Sequence, residues 1–172
     1  KVDKNMQTTL PGVYAVGDVT GPPLLAHVAE AQGVLAVEHI SGEEPIGLEY
    51  ENMPRAVYSR PQVASIGLME SEATIRGISI NVGQFPYRAN GKAIAMADYD
   101  GLIKIVSDAQ DGRILGAHMI GPDCSELIGE ISLAIKLKAT ALDLGRSIHP
   151  HPTLSEGLMD AALGVYGKAI HF

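Results

Sequence analysis

The chain holds 172 residues, 46% of them hydrophobic, and its 13 Lys and Arg against 20 Asp and Glu give a formal net charge of −7. An acidic balance with no cluster of cations excludes a nucleic-acid-binding surface, and no apolar run reaches membrane-spanning length or reads as a signal peptide. One cysteine cannot form an internal disulfide, which suits a reducing compartment and leaves stability to the core. The opening Lys1-Val2-Asp3 lacks an initiator Met and soon runs into what reads as the middle of a domain, so a fragment of a longer protein is expected.

In chain order, a turn at Pro11-Gly12 precedes Val13-Tyr14-Ala15-Val16, an apolar run suited to a buried parallel strand that Gly17-Asp18 ends. Ligands in open α/β sheets sit beyond the carboxyl ends of strands, which would place Asp18 on a sugar hydroxyl. A plain turn is the commoner reading of Gly-Asp there. Leu24-Leu25-Ala26-His27 opens a helix to about Ile40, with Val28, Ala31, Leu35 and Val37 among its apolar positions. Amide N–H groups and the positive dipole end at such a start favour an electron-rich ligand edge. His27 alone is a polar residue near a helix start. Ser41 to Pro45 stops the helix and marks a boundary, so residues 1–47 read as the tail of one domain and 48–172 as another. One strand and one helix are too little to bury a core.

Beyond the boundary, Ala56-Val57-Tyr58 and Val63-Ala64-Ser65-Ile66 read as short strands around Ser59-Arg60-Pro61. A short helix from Ser71 to Arg76 ends at a cap-like Gly77, and Ile78 to Phe85 alternates as a strand. Leu102 to Val106 and Ile114 to Ile120 form a hairpin through Asp111-Gly112. Pro122-Asp123 starts a helix with the stripe Leu127, Ile128, Ile131, Ala134 and Ile135. Cys124 near that start would be somewhat favoured as a thiolate, although a small packing residue is the commoner reading. Leu142 to Arg146 makes a helical turn. Without βαβ alternation the second region reads as α+β, an antiparallel sheet with flanking helices.

The stretch with most chemistry follows, His149-Pro150-His151-Pro152-Thr153-Leu154-Ser155-Glu156. Thr153 and Glu156 have capping-box spacing, and Leu158, Met159, Ala162, Leu163, Val165 and Tyr166 beyond them fit a helix. Two prolines stiffen the turn that presents His151. A carboxylate five residues on can hold one ring nitrogen and leave the other as a proton acceptor, the layout of a general base with an orienting acid. For the bare pattern, a gap-filling histidine and a capping glutamate are the commoner reading. Metal binding by the two histidines and Glu156 ranks last, since the prolines make joint chelation awkward.

His-Pro-His-Pro-Thr-Leu-Ser-Glu resembles the active-site signature of the dihydrolipoamide dehydrogenases, a branch of the FAD-dependent pyridine nucleotide–disulfide oxidoreductases. Pro150 departs from the small residue usual there, and Gln62 replaces a Glu of the family. The segment from Thr8 to Asp18 is similar to the family's second FAD motif, Leu-Ala-His keeps its interval from Asp18, and Phe85-Pro86-Tyr87-Arg88-Ala89-Asn90 resembles a segment of the lipoamide branch. The likeness covers nearly the whole chain and is densest at 8–27, 85–93 and 113–157.

The resemblance implies an α+β dimerisation (interface) domain with an antiparallel sheet, preceded by a short tail of an FAD-binding α/β domain. It implies FAD and NAD in the parent protein, with Gly17, Asp18, Leu24, Leu25, Ala26 and His27 toward the flavin. His151 would be the base on a substrate dithiol and Glu156 its orienting partner, serving the disulfide of the opposite subunit of a homodimer. A lipoyl-bearing acyltransferase component of a 2-oxoacid dehydrogenase complex would be the partner, in the cytoplasm or a mitochondrial matrix. No metal, nucleic acid or membrane is expected. The text holds no Gly-x-Gly-x-x-Gly, no paired redox cysteines and no NAD-binding segment, so the fragment is expected to be inactive alone, dimeric and free of flavin. Alternatives are a mercuric or glutathione reductase type of the same superfamily, or a non-catalytic docking module. His151–Pro152 is expected to be cis, against the usual rarity of that isomer.

Overall fold

The alternating residues between Arg55 and Gly121 form a five-stranded antiparallel sheet, in a computed structural model that describes residues 1–172. Its strands are β1 (Arg55–Val57), β2 (Gln62–Gly67), β3 (Ile80–Pro86), β4 (Leu102–Asp108) and β5 (Ile114–Gly121), in the order β1-β2-β5-β4-β3. The β4–β5 hairpin is central, and its register shifts at Val106/Ser107. One face of the sheet buries Ile103, Ile105, Ala117 and Met119. Antiparallel sheets with one covered face carry this alternation.

Helices cover that face. The chain forms two compact units, Lys1–Met53 and Pro54–Phe172. In the second, α2 (Glu70–Arg76) ends at Gly77 in the left-handed region, φ 67°. A five-residue helix α3 (Gly91–Ala95) was not expected from the sequence. Then come α4 (Cys124–Lys136), α5 (Ala141–Arg146) and α6 (Glu156–Gly164). The stripe on α4 delivers Ile128 and Ile131 to the core, with Leu127, Ala134 and Ile135 half-buried beside them. Cys124 is buried, and burial pushes its thiol up, so the thiolate favoured by a helix start does not arise.

α6 lies on β3 at very close range. A Cβ built on Gly83 would fall 2.0 Å from the Ala161 carbonyl oxygen and 2.4 Å from the Val165 nitrogen. Only a glycine in the strand lets the helix backbone come this near. The start of α6 is seated likewise, because a Cβ on Gly157 would meet Ile103 Cδ1 at 2.8 Å.

The first unit is a 3-10 turn at Gly17–Thr20 and helix α1 (Ala26–Ile40). Val13 to Val16 is not a strand. Its only ladder contact is an isolated bridge of Tyr14 to Gln7, and Val13 and Val16 are exposed. A buried parallel strand needs parallel neighbours, and what pairs with this run is a short antiparallel stretch, through Thr8 N to Val13 O (2.8 Å) and Ala15 N to Met6 O (3.0 Å). Met6, Leu35 and Ala36 are its buried hydrophobic cluster, with Val2, Tyr14 and Leu48 against it. The unit runs to Met53 because Leu48 packs there and Tyr50 accepts a hydrogen bond from Gln32 (3.0 Å). No helix is long and apolar enough to cross a membrane.

Candidate active site

The loop Ser147–Ser155, between α5 and α6, is tied down from several sides. Leu154 sinks into the core. Asn90, buried ahead of α3, donates from Nδ2 to the Thr153 carbonyl (3.0 Å) while its Oδ1 accepts from the Ala93 amide (3.0 Å). It therefore caps α3 and holds the loop at once. The His149 ring is pinned between the Ser147 carbonyl (Nδ1, 2.9 Å) and the Glu130 carboxylate of α4 (Nε2, 2.9 Å). His151–Pro152 is cis, as expected.

His151 and Glu156 meet. Glu156 Oε1 lies 2.8 Å from His151 Nδ1, and its Oε2 accepts from the Thr153 amide at 2.7 Å. A carboxylate can only accept, so Nδ1 carries the hydrogen and Nε2 is left as the accepting nitrogen. The imidazole side chain is 78% exposed while the carboxylate is 16% exposed. A shielded acid thus holds one side of a ring whose other side faces solvent.

The electrostatics agree. Partial burial alone would push Glu156 up, but the Thr153 amide, the His151 hydrogen bond and the charges of His151 and His171 hold its carboxyl below the usual range. The expected capping box is only half formed. Glu156 reaches back to the Thr153 amide, but Thr153 Oγ1 turns to the Pro150 carbonyl (2.7 Å) and Ser155 Oγ (3.0 Å). The reason is where the helix starts: α6 begins at Glu156 itself, so Thr153 lies too far out to cap it. Glu156 serves the loop backbone and the histidine together, one oxygen each. No group of three or more His, Cys, Asp or Glu side chains is arranged to hold a metal ion.

A cavity of about 190 Å³ opens beside the pair, and its lining includes the apolar Phe85 and Ile94 and the polar His151, Glu156, Asp160 and His171. Sequence reasoning did not single out Asp160, His171 or a loop-holding role for Asn90. Asp160 stands four residues from Glu156, one helical turn, and that interval was the available signal.

In the first unit, Gly17, φ 76°, opens the 3-10 turn, and its amide donates to Gln32 Oε1 of α1 at 2.7 Å. Gly17 also lies against Ala29, to which a Cβ would come within 3.4 Å. This brings the turn bearing Asp18 to the first turns of α1, which starts at Ala26 with Leu25 as its N-cap. Asp18, Leu24, Ala26 and His27 are exposed and Leu25 is half-buried.

The comparisons with known proteins extend over the whole chain. A family model described as pyridine nucleotide-disulphide oxidoreductase, dimerisation domain, matches residues 53–162, and a second, pyridine nucleotide-disulphide oxidoreductase, matches residues 1–33. The dihydrolipoyl dehydrogenase of Mycobacterium leprae is 49% identical over 172 residues, 99% of this chain and 37% of that protein. That of Bacillus subtilis is 47% identical over 171 residues, again 99% of this chain and 36% of its own length. Among solved structures, LpdA from Mycobacterium tuberculosis superposes with a TM-score of 0.88 at 30% identity, over 94% of this chain and 35% of that one. The HOCl-induced flavoprotein disulfide reductase RclA from Escherichia coli gives 0.88 at 28% identity, covering 94% of this chain and 38% of that one. The chain thus spans little more than a third of the length of these relatives. With the dimerisation-domain match covering more than half of it, the chain belongs to the pyridine nucleotide–disulphide oxidoreductase family.

Proposed function

We propose that this chain is the dimerisation domain, with the closing part of the FAD domain, of a dihydrolipoyl dehydrogenase. The observation that carries this reading is His151 Nδ1 held by Glu156, with Nε2 turned outward as a proton acceptor. The whole protein would take two electrons and two protons from a dihydrolipoyl dithiol, close it to a disulfide, and deliver a hydride equivalent to NAD⁺. Bound FAD would supply the two-electron transfer between the redox disulfide and the nicotinamide. On this reading Gly17 and Asp18 face the flavin's ribityl–phosphate region, and the backbone at Leu24, Leu25, Ala26 and His27 its pyrimidine edge. The converging turn and helix start fit one side of such a site.

His151 would act on the substrate thiol. Disulfide exchange proceeds through the thiolate, so a base with an open nitrogen raises the reactive fraction at neutral pH. Once protonated, the ring carries a positive charge that the ionised Glu156 stabilises. The disulfide served would be that of the opposite subunit, so the active form is a homodimer. Ile148, 99% exposed, and Leu137, 70% exposed, supply apolar surface for a second copy. A lipoyl-bearing acyltransferase as partner and a cytoplasmic location follow from the same reading.

Stopped-flow measurement of the two half-reactions in the full-length flavoprotein tests it. His151→Gln should slow flavin reduction by dihydrolipoamide by roughly 10²–10⁴-fold, and leave flavin reduction by NADH near normal. Glu156→Gln should give a milder loss, since the ring remains but without its carboxylate. Equal impairment of both half-reactions, or of neither, removes His151 as the base. Failure to oxidise dihydrolipoamide at all would instead favour a reductase of RclA type.

A further inference from the structure

α6 carries two carboxylates one turn apart, and each is taken by an imidazole from outside the helix. Glu156 receives His151 from the loop before it; Asp160 receives His171 from the segment after it. Asp160 is 1% exposed, its Oδ2 lies 2.8 Å from His171 Nδ1, and its Oδ1 accepts from the Ile170 amide at 2.9 Å. Both pairs line the same cavity.

We propose that His171 is a positioning residue of this site: clasped to buried Asp160, its ring sets the charge around the carboxylate that orients His151. For the chemistry this rests on His151 being the base proposed above. The charge coupling itself does not. The cavity's titratable side chains are His151 of the loop, Glu156 and Asp160 of α6, and His171 of the following segment; its other residues, from β3 and the α3 region, carry none. His171 is therefore the other imidazole that shares the cavity with Glu156 and its partner His151. The positive charge on His171 is indeed among the influences that lower Glu156. The clasp joins an exposed ring to a buried acid: the His171 side chain is 54% exposed and that of Asp160 1%.

A purely mechanical clasp would tie the segment to α6 and leave Glu156 indifferent to the charge on His171. The two roles separate by substitution. His171→Asn keeps an amide donor for Asp160 without the charge, and His171→Lys restores a positive charge. The measurement is the carboxyl-carbon NMR titration of Glu156 in the 172-residue chain, its resonance identified by loss in Glu156→Gln. A positive charge beside a carboxylate lowers its midpoint, so deleting the charge of His171 must raise that of Glu156. His171→Asn should raise it by roughly 0.3–0.5 pH unit, the scale of one nearby charge in a water-exposed cavity, and His171→Lys should return it toward the native position. A midpoint that stays in place in His171→Asn overturns the proposal, with or without a loss of stability. So does a rise that His171→Lys fails to reverse. Neither readout involves flavin or thiol, so their failure is distinct from a failure of His151 as base.

Discussion

Asn90 offers the sharpest test of how the histidine loop is held, because its two hydrogen bonds can be removed one at a time. The side chain is 3% exposed and spans from the Ala93 amide to the Thr153 carbonyl. Asn90→Ser keeps a hydroxyl able to cap α3 but too short to reach Thr153. Asn90→Ala loses both. Loss of an N-cap costs about 1 kcal/mol, and an unmade side chain-to-backbone bond in a half-buried setting costs about as much again. Serine should therefore destabilise the second unit by about 1 kcal/mol and alanine by about 2 kcal/mol. With a urea dependence of about 1.5 kcal/mol per M for a domain of this size, the midpoints should fall by about 0.7 M and 1.3 M. Urea unfolding followed by circular dichroism reads both values. If the two variants unfold at the same midpoint, the bond to Thr153 contributes nothing and the loop is held otherwise.

The remaining predictions concern the helix that carries the carboxylates. Gly83→Ala drives a methyl into the backbone of α6, 2.0 Å from the Ala161 oxygen, and should cost about 1–3 kcal/mol in urea unfolding. Gly129→Ala meets nothing within 4 Å on α4 and should instead stabilise by up to about 1 kcal/mol; like signs in the two variants would refute this account of the glycines. Glu156 is lowered in the folded chain, so its contribution is complete above the ordinary glutamate value of about 4.3 and fades as pH falls through the lower folded value. Native chain and Glu156→Gln should differ in urea midpoint at pH 7, and the gap should narrow as the pH falls into the acid range below the ordinary glutamate value; a constant gap throughout would refute the assignment.

Much of this was legible from residue order. The strands announce themselves by alternation, and the His151–Glu156 pair by an interval that a stiff turn and a helix start can close. What stayed hidden depends on partners far along the chain. Val13 to Val16 has the composition of a buried strand, but composition does not say whether an edge lies beside it. Asn90 shows a single letter for two bonds, one of them to a residue with a sequence separation of 63. Asp160 reads as an ordinary helix acid until His171 arrives from a segment with no regular spacing to it. Thr153 carries the right residue type for a cap, and only the position at which α6 starts decides that it does not act as one.

Three polar side chains that hold the loop from outside it, Asn90, Glu130 and Glu156, belong to three different helical regions. The grips of Asn90 and Glu130 come from regions 63 and 19 residues away in sequence and should form only once those regions have packed, whereas those of Glu156 are local. By the same logic the loop should be the first part to open when the chain is warmed or mildly denatured. Function and secondary structure should then fail in sequence: the presentation of His151 decays while the sheet still gives a native signal. Warmed gradually, such a protein should lose the fixed bearing of its histidine loop while the five-stranded sheet beneath is still paired.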